Sequence, residues 1–138
     1  PNVVGVKDAT QDLVRPIKTR LAIGAQFRQL SGEDGTALPF LAAGGHGCIS
    51  VTANVAPRLC AEMQAAWRAG DVATAAAIND RLMPLHTGLF CETNPTPAKY
   101  AVSVLGKCGP DVRLPLVALS DAGRETVRRA MAAVGLIG

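Results

Sequence analysis

Asn2-Val3-Val4-Gly5-Val6-Lys7-Asp8-Ala9-Thr10 is the stretch whose reading decides the fold. Val3 to Val6 form a short, continuous apolar run, the pattern of a parallel strand covered on both faces. Such a strand offers a lysine no solvent-facing side. The Lys7 ammonium must be paired, reach water from the strand end, or be disfavoured by burial. Two readings stay open at this point. Lys7 is a strand-end lysine that pairs with Asp8 or reaches water, or it is an amine able to form a Schiff base with a carbonyl compound.

Working outward, Gln11 to Leu21 reads as a helix, with Leu13, Val14, Ile17 and Leu21 at three- and four-residue spacings and Pro16 tolerated only in its first turns. Phe27 to Ser31 reads as a second short strand. Glu33-Asp34 then begin a helix with their acids at its positive end, and Gly44-Gly45 close it. Gly47-Cys48-Ile49-Ser50-Val51, apolar and β-branched, reads as a third strand. The alternation strand, helix, strand, helix, strand is that of parallel βα units. From Asn54 onward the pattern is helical: Arg58 to Ala69 ended by Gly70, an alanine-rich segment capped by Asp71 and bent at Pro84, Ala98 to Leu105, and a last helix capped by Ser120-Asp121.

Composition removes several classes of function. The 138 residues are 49% hydrophobic, carry a net charge of +3 and are 4% aromatic. Only Arg128 and Arg129 stand side by side as basic neighbours, so no nucleic-acid footprint is present and base-stacking platforms are lacking. Four cysteines, Cys48, Cys60, Cys91 and Cys108, form no CxxC pair, which argues against a zinc site or a redox dithiol. No apolar run reaches the roughly 18 residues of a membrane span, and no basic leader is seen. The chain reads as soluble and cytoplasmic. Because it opens directly into a strand of buried pattern, it also reads as a segment from inside a larger domain.

Three parallel strands alone leave two open edges, which native folds cover or close. A closed (β/α)8 barrel removes both edges but typically needs about 250 residues. The expected fold class is therefore α/β: residues 1–55 hold the last three strand-helix units, strands six to eight, of a TIM barrel. Residues 56–138 hold the last barrel helix and an all-helical C-terminal extension. In such barrels the chemistry sits at the C-terminal strand ends, where Lys7, Gly32 and Ile49-Ser50-Val51 all lie.

The motifs Val4-Gly5-Val6-Lys7-Asp8-Ala9-Thr10, Leu30-Ser31-Gly32-Glu33-Asp34 and Gly44-Gly45-His46-Gly47-Cys48-Ile49-Ser50-Val51-Thr52-Ala53-Asn54-Val55 resemble the dihydrodipicolinate synthase family. So do Leu82-Met83-Pro84-Leu85, Asn94-Pro95-Thr96-Pro97-Ala98-Lys99, Arg113-Leu114-Pro115-Leu116 and Ser120-Asp121-Ala122-Gly123-Arg124. The resemblance runs the length of the chain and corresponds to the C-terminal half of the family's sequence. It implies a cofactor-free class I aldolase in which Lys7 forms the Schiff base with pyruvate. The derived enamine attacks aspartate-4-semialdehyde, giving 4-hydroxy-tetrahydrodipicolinate on the route to diaminopimelate and lysine. It further implies that Gly32 and Ile49 shape the pyruvate pocket, largely through backbone, and that the enzyme is a homotetramer or homodimer.

Other readings of these residues are ordinary. Gly32 also fits a left-handed turn before a helix, and Ile49 fits barrel core. Gly44-Gly45-His46-Gly47 precedes a strand instead of opening a helix, so it fails the context of a phosphate loop. His46 and His86 have no ligand or base partner at helical spacing and read as structural or surface residues. Asp8 and Thr10 shape the loop after the first strand. The resemblance places the family's tyrosine relay, its arginine clamp and its lysine-inhibitor site in the missing N-terminal half of the barrel, and Tyr100 does not replace them. Sister pyruvate aldolases, such as N-acetylneuraminate lyase or a 2-keto-3-deoxy sugar-acid aldolase, share the Schiff-base lysine. A non-catalytic fragment is the third alternative.

Overall fold

The computed structural model describes residues 2–138; Pro1 lies outside them. The chain divides into two compact units, Pro1–Ser50 and Val51–Gly138. The first contains β1 (Gly5–Asp8), α1 (Arg15–Ile23), β2 (Arg28–Ser31), α2 (Ala37–Ala42) and β3 (Gly47–Cys48). Its three strands are parallel and lie in the order β1-β2-β3, with Lys7 opposite Leu30 and Ser31 opposite Cys48. This is the expected βαβαβ order. The hydrogen-bond ladder outlasts the short strands: Arg28 N donates to Val4 O at 2.9 Å, and Ile49 N donates to Ser31 O at 2.8 Å.

The sheet is covered on one face only. Side chains alternate along a strand, so Asp8, Gln29 and Ser31 share one face and Lys7, Arg28 and Leu30 the other. The first set is buried, and Gln29 Nε2 reaches the carbonyl of Pro16 on α1 at 2.9 Å. Lys7 and Arg28 are exposed. The expectation of a strand buried on both faces is therefore not met. Val3 and Val4 are 76% and 73% exposed, because among the described residues β1 has no neighbour on its outer edge.

Local side-chain chemistry sets the helix starts. The helix read from Gln11 begins instead at Arg15. Gln11 has φ 64°, which no helix accommodates, and Asp12 Oδ1 accepts from Val14 N at 2.9 Å. Such side-chain turns compete with the helical backbone and delay it. Pro16 falls in the first turn, as required. Similarly, Glu33-Asp34 do not begin α2, which starts at Ala37. The Glu33 carboxylate folds over its own loop, accepting from Gly35 N at 3.0 Å and from Thr36 N at 2.7 Å. Gly44, at φ 98°, ends α2 where a Cβ would collide with the Arg20 guanidinium. Arg20 Nη1 in turn donates to Ala43 O at 2.7 Å, tying α1 to the turn that leads into β3.

The second unit opens on a single 3₁₀ turn (Thr52–Asn54) and continues as α3 (Pro57–Arg68), α4 (Val72–Gly88), α5 (Thr96–Val104) and α6 (Asp121–Ala133). No strand occurs among its described residues. Two caps predicted from sequence are present: Asp71 Oδ1 accepts from Thr74 N at 3.0 Å and Ser120 Oγ from Gly123 N at 3.0 Å. Helix α4 runs through Pro84 to Gly88. Leu82, Leu85 and Leu89 carry it into the core with Val127, Met131 and Val134, and each of the three leucines is 0% exposed. Burial on this scale outweighs the donor that Pro84 lacks. Among the described residues no helix is long and apolar enough to cross a membrane.

Leu85→Ala should lower the unfolding free energy by about 2–5 kcal/mol, read from urea denaturation followed by helical circular dichroism. A loss below 1 kcal/mol would mean that α4 does not anchor this core.

Candidate active site

Parallel register brings the first two predicted site residues together. Gly32 N donates to Asp8 O at 2.7 Å, carrying the β1–β2 ladder one residue past β2 and setting Gly32 beside Lys7. A Cβ on Gly32 would lie 2.7 Å from Lys7 Cε, 3.1 Å from Lys7 Cγ and 2.9 Å from Ala9 Cβ. Any side chain at position 32 thus meets the lysine stem. Gly32 is absent from the glycines with positive φ, so the left-handed-turn reading is corrected: an added Cβ would press on Ala9 Cβ and displace the flexible Lys7 stem.

Ile49 lies on the same face. Gly47 pairs with Leu30, and a Cβ on Gly47 would touch Leu30 Cδ2 at 3.4 Å; two residues on, Ile49 continues that face at the strand end. Ile49 is 47% exposed, which departs from the core reading. Lys7, Gly32 and Ile49 therefore occupy the C-terminal ends of three neighbouring parallel strands, on the uncovered face.

Of the ordinary reading of Lys7, the pairing with Asp8 is not formed, whereas the other half holds: the lysine is exposed to water. Alternation turns the two side chains to opposite faces, and Asp8 pairs with Arg15, whose Nε lies 3.0 Å from Asp8 Oδ2. Among the described residues no carboxylate lies within ion-pair distance of Lys7. Asp8 Oδ1 also accepts from Thr10 N at 2.9 Å and from Thr10 Oγ1 at 2.6 Å. Burial alone would raise the Asp8 carboxyl, but the Thr10 hydrogen bonds and the Arg15 charge outweigh it and hold it below the ordinary aspartate value. The loop-shaping role read for Asp8 and Thr10 is present in this geometry.

Both histidines take structural places. His46 Nδ1 accepts from Gln29 N at 3.1 Å, so its ring extends the β2 ladder at the start of β3. His86 is buried, with Nδ1 2.9 Å from Thr52 Oγ1. Among the described residues no three His, Cys, Asp or Glu side chains gather as metal ligands. Sequence reasoning missed Arg15, the Glu33 loop clamp and the buried Asp34 carboxylate, which accepts from Ser50 Oγ. For Asp34 the signal was legible only as an acid between a strand and a helix.

Residues 1–134 match the dihydrodipicolinate synthetase family. The chain belongs to that family. It is 64% identical over 137 residues to the 4-hydroxy-tetrahydrodipicolinate synthase of Acidiphilium cryptum, and 63% identical over 137 residues to that of Rhodospirillum centenum. In both cases the match covers 99% of this chain and 47% of the relative, so the chain spans about half the length of these curated relatives. Among solved structures it is similar to the chloride-inhibited dihydrodipicolinate synthase of Acinetobacter baumannii complexed with pyruvate, with 40% identity and a TM-score of 0.93 over 99% of this chain and 47% of that one. The Thermotoga maritima dihydrodipicolinate synthase gives 36% identity and a TM-score of 0.93 over the same shares. As a member of the dihydrodipicolinate synthetase family, the chain is a partial TIM-barrel chain with a helical part.

Asp8→Asn should destabilise the protein at pH 7, and the gap to wild type should close on acidification. Because the folded carboxyl titrates below its unfolded value, its contribution is fully present above the ordinary aspartate pKa of about 3.9 and is lost as pH falls through the lower folded value. Thermal melts of both proteins between pH 7 and the acid limit check this, and a gap independent of pH would overturn it.

Proposed function

We propose that these residues are strands six to eight and the C-terminal helical part of a pyruvate-dependent class I aldolase, 4-hydroxy-tetrahydrodipicolinate synthase. Lys7 is its Schiff-base lysine. The observation that carries this reading is the contact between Lys7 and Gly32 at adjacent strand ends. An amine whose flank is kept bare by a glycine can admit a small keto acid beside it.

The chemistry follows from the groups. The unprotonated Lys7 amine adds to the C2 carbonyl of pyruvate, and loss of water gives an iminium. The iminium draws electrons from the adjacent methyl, which loses a proton to leave an enamine. The enamine carbon then attacks the aldehyde of aspartate-4-semialdehyde, forming the new carbon–carbon bond. Cyclisation through the semialdehyde's own amine displaces Lys7 and returns it to the free state. Gly32 and Ile49 line the pyruvate side of this site. The proton relay and the clamp for the second substrate belong to the other half of the barrel, and the whole enzyme works in the cytoplasm as a homotetramer or homodimer. The family match favours the synthase over N-acetylneuraminate lyase or a 2-keto-3-deoxy sugar-acid aldolase.

In a full-length enzyme carrying this sequence, pyruvate with borohydride should leave an irreversible adduct on Lys7, located by peptide mass spectrometry. Lys7→Arg should abolish it, since arginine stays protonated and cannot condense with a ketone. Gly32→Ala should cut trapping at least about tenfold through the collision with the lysine stem. Labelling at Lys18, Lys99 or Lys107 in place of Lys7 would overturn the assignment, and turnover of N-acetylneuraminate in place of aspartate-4-semialdehyde would overturn the substrate.

The 138 residues expressed alone should show no synthase turnover and should self-associate, because the outer edge of β1 and the face bearing Lys7 are open. Light scattering and a coupled synthase assay check both. Full turnover by the isolated chain would require catalytic groups outside this account.

A further inference from the structure

We propose that Asp34 is a positioning residue for the Lys7 site: from the covered side of the sheet its carboxylate fastens together the two segments that carry Gly32 and Ile49. The inference rests on the reading of Lys7, Gly32 and Ile49 as the pyruvate site, and deepens it.

Asp34 stands two residues after Gly32, in the loop that leaves β2, and is 3% exposed. Its Oδ1 accepts from Ser50 Oγ, and Cys48 Sγ approaches the same oxygen at 3.9 Å. Cys48 and Ser50 are alternate residues at the end of β3 and share one face; Gly47 and Ile49 share the other. A carboxylate gripping position 50 from behind thereby sets the rotation of position 49 in front. One side chain thus links the loop of Gly32 to the strand end of Ile49.

The link matters because β3 is short. Its ladder holds only Gly47 and Cys48, with His46 N to Gln29 O and Ile49 N to Ser31 O, each 2.8 Å, at its two ends. A strand of that length is weakly fixed by backbone bonds alone. A one-residue slip or a rotation at Ile49 would carry its side chain off the face of Lys7. The hydroxyl of Ser50 and the buried carboxylate oppose such a slip with a charge-assisted bond, stronger than a neutral one.

The test measures the full-length enzyme with pyruvate and aspartate-4-semialdehyde. Asp34→Ala and Ser50→Ala should each raise KM for pyruvate at least about fivefold with a smaller change in kcat, and the double variant should add little to Asp34→Ala, as expected for two members of one bond. Asp34→Asn, which keeps an acceptor oxygen towards Ser50, should recover KM to within about twofold of wild type. If Asp34→Asn, despite its retained acceptor oxygen, is as impaired as Asp34→Ala while Ser50→Ala is unimpaired, the bond to Ser50 is not what holds the site and the positioning role is overturned. Unchanged KM in Ser50→Ala overturns it equally. Should Asp34→Ala fail to fold, Ser50→Ala and Asp34→Asn decide between the same outcomes. Borohydride trapping of pyruvate on Lys7 in wild type is the separate control: its absence would sink the reading of the site, whereas trapping with unperturbed variants would sink this inference alone.

Discussion

The hydrogen bond from Gly32 N to Asp8 O, at 2.7 Å, is the constraint on which the candidate site depends. It extends the parallel ladder past the end of β2 and so fixes which residue of the following loop stands beside Lys7. In a parallel pair the bonds are evenly spaced, so one such bond sets the register for its whole neighbourhood. With that register, Lys7 faces one way and Asp8 the other. The lysine is then freed of its sequence neighbour, and the aspartate is given to Arg15 and Thr10. A shift by one residue would exchange the two, turning the amine under α1 and the carboxylate into the site.

Much of this was legible in the chain. The order of three parallel strands followed from apolar runs separated by helix-patterned segments, and the caps at Asp71 and Ser120 followed from residue type alone. Lys7, Gly32 and Ile49 could be placed at strand ends because strand ends are where the runs stop. What could not be read was decided by partners distant in sequence or by competing local bonds. Glu33 looked like the start of a helix because acids favour that position, yet its carboxylate found nearer donors at Gly35 and Thr36. Gly32 looked like a residue chosen for its φ, yet its φ is ordinary and what lies against it is the stem of Lys7 and Ala9 from the neighbouring strand.

The burial of β1 was misjudged for a different reason. A run such as Val3-Val4-Gly5-Val6 reports what covers a strand in its complete setting, and here it has a partner on one edge and helices on one face. The hydrophobic pattern is thus a record of surface that calls for further strands. The chain's span of about half of its relatives is consistent with that record.

The two faces of the small sheet divide the work. The covered face carries the polar side chains that are buried and bonded: Asp8 to Arg15 and Thr10, Gln29 to Pro16, Ser31 to Glu33, Asp34 to Ser50. Buried polar groups tolerate little displacement, since a lost partner costs the full desolvation of the group left behind. They therefore act as rigid pegs, and three of the bonded side chains sit one residue from a position on the open face: Asp8 after Lys7, Ser31 before Gly32, Ser50 after Ile49. Period-two alternation turns this into a mechanism, because fixing the orientation of one residue fixes that of its neighbour. A reactive amine needs freedom at its tip and none at its root. In the role proposed for Lys7, the open face of a sheet whose other face is pinned by polar bonds supplies both.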